Sequence, residues 1–169
     1  MQIPAGTETA FDRGHPDLLS IAIVKDHHGR HNPITLSWIM RTSRMPPMLA
    51  VSVAPERHSF EAFRRSREFV IAYPAAGQER ETVIYGTASG RSMDKLERGG
   101  SRVEPATKID SVLMSDAVVN FECRLVDELV TGDHSIFVGE ILATHVNADP
   151  DAGRIYAFAY TDYAPVLRG

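Results

Sequence analysis

Apolar and polar residues alternate with a period of two along much of this chain, as they do in strands that bury one face. Leu18 to Asp26 (LLSIAIVKD) is rich in Ile and Val and stops at the polar run His27 to Asn32, where Gly29 and Asn32 are turn residues. From Pro33 to Arg41 the pattern resumes, with Ile34, Leu36, Trp38 and Met40 on a face to be buried and Thr35 and Ser37 on the other. Met45-Pro46-Pro47 forces a bend, and Met48 to Ala54 (MLAVSVA) reads as the next strand. Glu68 to Tyr73 is another, closed by Pro74. Beyond Ala117 strands return: Val119, Phe121, Cys123 and Leu125 share a face opposite Asn120, Glu122 and Arg124. Gly132-Asp133 makes a turn, Ser135 to Val146 is apolar on both faces as a doubly covered strand would be, and Ile155 to Tyr160 is a last strand.

Between these strands the period lengthens. Phe60 and Phe63 stand three apart in Ser59 to Ser66, which predicts a short helix with Ser59 as its N-cap. Glu79 to Ala88 and Ser92 to Arg98 read as short helices flanking Ser89-Gly90, and Gly99-Gly100 ends the second. Six or seven strands with small helices inserted predict a mainly β domain of α+β type, barrel-like, occupying the whole of residues 1–169. Regular βα alternation is missing and no GxGxxG follows a strand, which argues against a Rossmann fold.

Composition narrows the function classes. The net charge of −4 opposes broad phosphate-backbone binding, so no nucleic-acid partner is expected. Cys123 is the only cysteine, which excludes an intrachain disulfide and a thiolate zinc site. The amino terminus lacks the pattern of a secretion signal and no apolar run approaches the ~20 residues of a membrane helix, so a cytoplasmic protein is expected, with no membrane partner.

The candidate chemistry lies in five places. His27, His28 and His31 are close in sequence but share a polar loop from which side chains diverge, and they read as solvated rather than metal-ligating. Thr35, Ser37 and Ser52 present hydroxyls along strands, either as plain surface groups or as donors to a planar heteroaromatic ligand. Pro55-Glu56-Arg57-His58-Ser59 runs into a helix start, where free N–H groups, Arg57 and the Ser59 hydroxyl would suit a phosphate or simply cap a helix. Ser89 to Lys95 adds Arg91 and Lys95 on a flexible backbone, with Asp94 able to pair internally. His134, in the turn Gly132-Asp133-His134, is either a turn residue or an imidazole over a ligand. No nucleophile elbow, HExxH or P-loop is present, so hydrolysis and phosphoryl transfer have no machinery here.

In order, NPITLSW (32–38), PPMLAVSV (46–53), RHS (57–59), SREFVIAY (66–73), YGTASGRSMDK (85–95) and GDHSIFVGE (132–140) resemble the flavin reductase-like family. The likeness covers about residues 18–147; the SGR…DK loop is similar to flavoredoxins, and the GDH turn to the reductase components of two-component flavin monooxygenases. The resemblance implies an FMN-binding split β-barrel and a homodimer with flavin near the subunit interface. It implies that Asn32, Thr35, Ser37 and Trp38 line the isoalloxazine, and that Ser52 and Val53 follow its edge toward the ribityl chain. Arg57, His58 and Ser59 would meet the phosphate, Ser89, Arg91 and Lys95 would close over it, and His134 would border the nicotinamide.

The activity so implied is hydride transfer from NAD(P)H to FMN or FAD, with reduced flavin passed to a monooxygenase or another acceptor. FMN is favoured because the two anion-suited loops lie together and no adenine site is evident. The alternatives are an FMN-bound electron carrier without a pyridine-nucleotide site, and a non-catalytic split-barrel protein that binds flavin or haem. No catalytic side chain is expected under the first reading, because the flavin N5 carries the chemistry.

Overall fold

The computed structural model describes residues 2–165. Its elements begin with α1 (Thr7–Asp12), β1 (Asp17–Leu18), β2 (Ser20–Lys25), β3 (His31–Leu36), β4 (Ile39–Arg44), β5 (Pro47–Val53), α2 (His58–Ser66) and β6 (Glu68–Tyr73). They continue with α3 (Glu79–Thr87), α4 (Lys95–Gly99), β7 (Val103–Pro105), β8 (Val112–Met114), β9 (Val119–Thr131), β10 (His134–Val146), β11 (Ile155–Ala159) and β12 (Asp162–Pro165).

Seven strands form one antiparallel sheet in the order β3-β2-β6-β9-β10-β5-β4. Its two edge strands, β3 and β4, are consecutive in the chain and separated only by Ser37 and Trp38. A two-residue connection spans at most ~10 Å, so the sheet must roll until its edges approach each other. The result is a split barrel that does not close.

This roll explains the first departure from the predicted pattern. The strand expected over Pro33 to Arg41 is broken at Ser37-Trp38, the alternation resets there, and Trp38 and Met40 are each 56% exposed instead of buried. Inside the roll, Ile71, Cys123, Leu125 and Phe137 meet Phe60 and Phe63 from α2. The Phe63 and Phe137 rings stack at 4.9 Å, and Phe69 meets Phe63 edge-on. Each such buried aromatic contributes roughly 2–3 kcal/mol. Helix α2 starts one residue earlier than expected, with Arg57 and not Ser59 at the N-cap position.

The opposite face of β2 and β6 builds a second core, in which Ile21, Ile23 and Val70 pack with Tyr85 of α3 and Ile109 and Met114 of the β7–β8 hairpin. That hairpin was not anticipated, and it covers the polar face of β9. Asn120 and Glu122, read as lying opposite Phe121 and Cys123, are buried beneath it. Asn120 exchanges hydrogen bonds with the Met114 backbone, and Glu122 accepts from Thr107 and Lys108. Conversely, β10 is not covered on both faces: Ser135, Phe137 and Gly139 are buried, while Ile136 and Val138 are only half so. The last predicted strand ends at Ala159, and β12 returns beside β11 to make a small sheet with β1.

Candidate functional site

The start of α2 provides the first part of the site. Arg57 N–H closes a turn on the Ala54 carbonyl, and Phe60 N–H bonds back to Arg57. The N–H groups of His58 and Ser59 donate to no backbone carbonyl among the described residues, as expected for a first helical turn. Ser59 is buried; its Oγ accepts from Asn32 Nδ2 at 2.8 Å, which leaves its own O–H to give. Asn32 Oδ1 is also buried and has no partner among the described residues.

The loop after α3 closes over this helix start. Gly90 is buried against it: a Cβ there would overlap Asn32 Oδ1 and stand 2.7 Å from His58 Cδ2, so no other residue fits without displacement. Arg91 Nη1 donates to the Glu56 carbonyl at 3.1 Å, which ties the two loops together. Lys95 then enters from below. It is 4% exposed, its Nζ donates to the Tyr85 carbonyl at 3.0 Å, and no carboxylate pairs with it among the described residues. Burial, with a smaller contribution from the Arg57 charge, lowers its pKa to about 8. Asp94, a candidate partner on sequence grounds, instead caps α4 by accepting from Glu97 N–H. Between these groups lies a cavity of about 170 Å³ walled by Arg57, Ser59, Ser89, Arg91 and Lys95.

Asp26 holds the cavity's outer wall, and sequence reasoning passed over it. Its carboxylate takes the N–H groups of His28 and Arg30, both Nε and Nη2 of Arg30, and His58 Nε2 at 3.4 Å. Arg30 Nη2 also donates to the Gly90 carbonyl. Burial pushes the Asp26 pKa up, but these bonds outweigh it and hold the pKa at about 2. A turn residue such as Asp26 gives no local sign that it will reach loops more than 30 positions away.

Ile34, Arg57 and Gly86 also line a second, larger cleft of about 720 Å³. This cleft runs along Thr35, Ser37, Trp38, Ser52 and Val53 to His134. Its size falls within the ~300–1,000 Å³ of small-molecule sites. The Trp38 and His134 rings lie 4.7 Å apart, and His134 Nδ1 is 2.7 Å from Asp133 Oδ1. Two expected contributors differ in detail. Thr35 Oγ1 donates to the Thr82 carbonyl of α3 at 2.6 Å, so its hydroxyl proton is already engaged. Val53 turns its side chain into the core, leaving only its backbone for the cleft. The far wall comes from α1 and the β11–β12 hairpin, including Phe11, Tyr160 and Tyr163, none of which the sequence marked as site residues.

The histidine-rich turn also differs from expectation. His31 is the first residue of β3 rather than a loop residue, and its Nδ1 is buried. The His27 and His28 rings lie 3.8 Å apart. Among the described residues, no three His, Cys, Asp or Glu side chains converge as metal ligands would.

The chain is similar over 121 residues to an uncharacterized protein of Archaeoglobus fulgidus, at 33% identity covering 71% of this chain and 68% of that one. It is 25% identical over 138 residues to the FMN reductase (NADH) RutF of Acinetobacter baylyi, covering 80% of this chain and 71% of the relative. Its fold matches the flavoredoxin of Desulfovibrio vulgaris (Miyazaki F) with a TM-score of 0.85 at 22% identity, across all of this chain and 95% of the other. A single family model accounts for residues 13–166 and so takes in the cavity and all of the cleft but its α1 wall; this chain belongs to the flavin reductase like domain family.

Proposed function

We propose that this protein is an NAD(P)H-dependent flavin reductase that binds the flavin phosphate in the small cavity and the isoalloxazine in the larger cleft. The observation that carries the reading is Lys95. A buried ammonium without a carboxylate is costly, and it stands with Arg57 and Arg91 at the closed end of a cleft lined by hydroxyls and aromatic rings. The residues suit the cofactor on two further counts. Asn32 Oδ1 is a buried acceptor without a donor among the described residues, and Gly90 lets the backbone approach where a side chain would block it. A bound flavin supplies the capacity to take hydride from a nicotinamide and pass electrons on. The protein's part is positioning: N–H groups of His58 and Ser59 with Arg57 and Lys95 hold the phosphate, while Ser37 and Ser52 face the ring. Trp38 and His134 border the side open to a second planar ring.

The direct test is steady-state oxidation of NADH and NADPH with added FMN or FAD. Turnover well above the uncatalysed rate is expected; bound flavin with no turnover would favour an electron carrier. Arg57→Ala should weaken FMN about tenfold, as loss of one solvent-accessible charge-assisted bond does, with riboflavin little changed. Equal losses for both ligands would contradict the phosphate role.

His134→Ala should raise the apparent KM for NAD(P)H by about three- to tenfold, the scale of one aromatic contact, and alter flavin affinity less. An unchanged KM would return His134 to a turn role. A homodimer also belongs to this reading. Ser52, Ile136 and Leu129 stand opposite one another across β5, β10 and β9, and Leu129 and Trp38 are more than half exposed, forming an apolar face suited to a second subunit.

A further inference from the structure

The histidine-rich turn between β2 and β3 lines neither the cavity nor the cleft, yet it holds the cavity wall from behind. Gly29, at φ +78°, lets the chain double back, and the main-chain N–H of Arg30 returns to Asp26 Oδ1. Nε and Nη2 of Arg30 then converge on Asp26 Oδ2 at 3.1 and 2.9 Å, beside His58 Nε2 of α2. The Asp26 side chain is 2% exposed, so the guanidinium rests on a buried carboxylate and is fixed in direction.

Arg30 has a second partner. Its Nη2 also donates to the Gly90 carbonyl at 2.9 Å, 60 positions along the chain. The loop 88–94 between α3 and α4 depends on that bond. Among the described residues, positions 89–93 make no main-chain hydrogen bond to another element. Two arginine side chains tie them down: Arg91 to the Glu56 carbonyl on one side, and Arg30 to Gly90 on the other. The Arg91 tie is exposed, and because Arg91 lines the cavity, a bound phosphate competes with Glu56 for it. Arg30 is outside the cavity and keeps its grip whatever fills it.

We propose that Arg30, oriented by Asp26, is a positioning residue that latches the loop 88–94 over the flavin phosphate and so governs how fast flavin leaves. The proposal rests on the flavin reading above. Gly90 is buried against Asn32 and His58, so freeing its carbonyl loosens the loop where it meets the start of α2. Flavin enters before the loop closes and does not use the bond; release must break it. The effect therefore belongs to the off-rate and not to the on-rate.

The experiment compares wild type with Arg30→Lys and Arg30→Gln. Lysine keeps the charge but lacks the planar edge that grips Asp26 while reaching Gly90. Tryptic cleavage after Arg91 reports opening of the loop in the unliganded proteins, and stopped-flow flavin fluorescence gives on- and off-rates for FMN and riboflavin. The Arg30 side chain is 37% exposed, so both variants should fold, with thermal melts within a few degrees of wild type. Both should be cleaved faster after Arg91. Both should release FMN about tenfold faster, the scale of one charge-assisted hydrogen bond, with FMN on-rate and riboflavin off-rate within about twofold of wild type. Arg30→Lys matching wild type while Arg30→Gln does not would overturn the proposal, because Arg30 would then act on the phosphate as a point charge. An unmoved FMN off-rate, equal acceleration of FMN and riboflavin, or unchanged cleavage after Arg91 would overturn it too and leave the flavin reading intact. Failure of wild type to bind either flavin would bring down both.

Discussion

Lys95→Met is expected to weaken FMN about 100-fold at neutral pH while leaving riboflavin within about threefold, because a charged hydrogen bond in a dry site contributes roughly 1.5–3 kcal/mol. The same substitution should raise the stability of the unliganded protein. Among the described residues Lys95 is buried without a counter-charge, and its pKa of about 8 lies below the ordinary 10.5. The folded state therefore releases this proton before the unfolded state does. Below pH 8 the charged group costs stability, and that cost is relieved as pH rises from 8 toward 10.5. Methionine removes the cost, although it leaves the Tyr85 carbonyl without a donor. A net gain of about 1–2 kcal/mol at pH 7 is the expected balance.

Ligand binding reverses the sign. A phosphate dianion beside Lys95 favours the ammonium, so wild-type affinity for FMN should fall as pH rises through about 8, and the variant should lose this dependence. Calorimetric titration of FMN and riboflavin between pH 7 and 9.5, with thermal melts of both free proteins, tests all three effects. Equal FMN affinity in variant and wild type would remove Lys95 from the site. This buried cation trades stability of the empty protein for affinity, a common arrangement at binding sites.

Glu122→Gln is expected to cost about 3 kcal/mol at pH 7 with no direct effect on the flavin cleft. The wild-type carboxylate is fully buried and accepts from Thr107 N–H, Thr107 Oγ1, Lys108 N–H and His145 Nε2 at 2.6–2.8 Å. Burial pushes its pKa up, but these bonds prevail and hold it at about 2, below the ordinary 4.5. Its contribution is present in full above pH 4.5 and disappears as pH falls from 4.5 through about 2. Glutamine must turn an NH₂ toward at least one of these donors, which loses bonds and leaves a buried N–H facing another. Urea unfolding should show the deficit at pH 7 and a smaller one near pH 3.5. A difference that does not narrow in acid would mean that Glu122 acts by shape and not by charge. The segment it anchors carries Ile109 into the second core, so loosening there reaches Tyr85 and Met114.

Much of this architecture was legible in the chain. β6 occupies the predicted Glu68 to Tyr73, and α2, β5 and β10 lie within one or two residues of their expected bounds. These segments have one clear period, bounded by Pro, Gly or polar turns. The cationic cavity was legible too, because Arg57, Ser59, Arg91 and Lys95 belong to compact motifs around turns. The failures share a cause. Trp38 and Met40 were assigned to a buried face because their alternation is correct in isolation, yet the chain crosses there from one sheet edge to the other. The burial of Glu122 and Asn120 was not legible, because an acidic or amide side chain in a strand gives no sign of a hairpin laid over it.

The sequence by itself determined the strands, the small helices between them, and the residue types able to hold an anion beside a planar ring. Those follow from local periodicity and side-chain chemistry, which need no knowledge of distant neighbours. Only the tertiary structure decided what those groups would meet. It buried Lys95 where no carboxylate among the described residues meets it, bound Asp26 to His58 at the start of α2, and engaged the Thr35 hydroxyl on α3. Burial and pairing are properties of the assembled roll, in which strands adjacent in sequence become opposite edges and loops far apart share one wall.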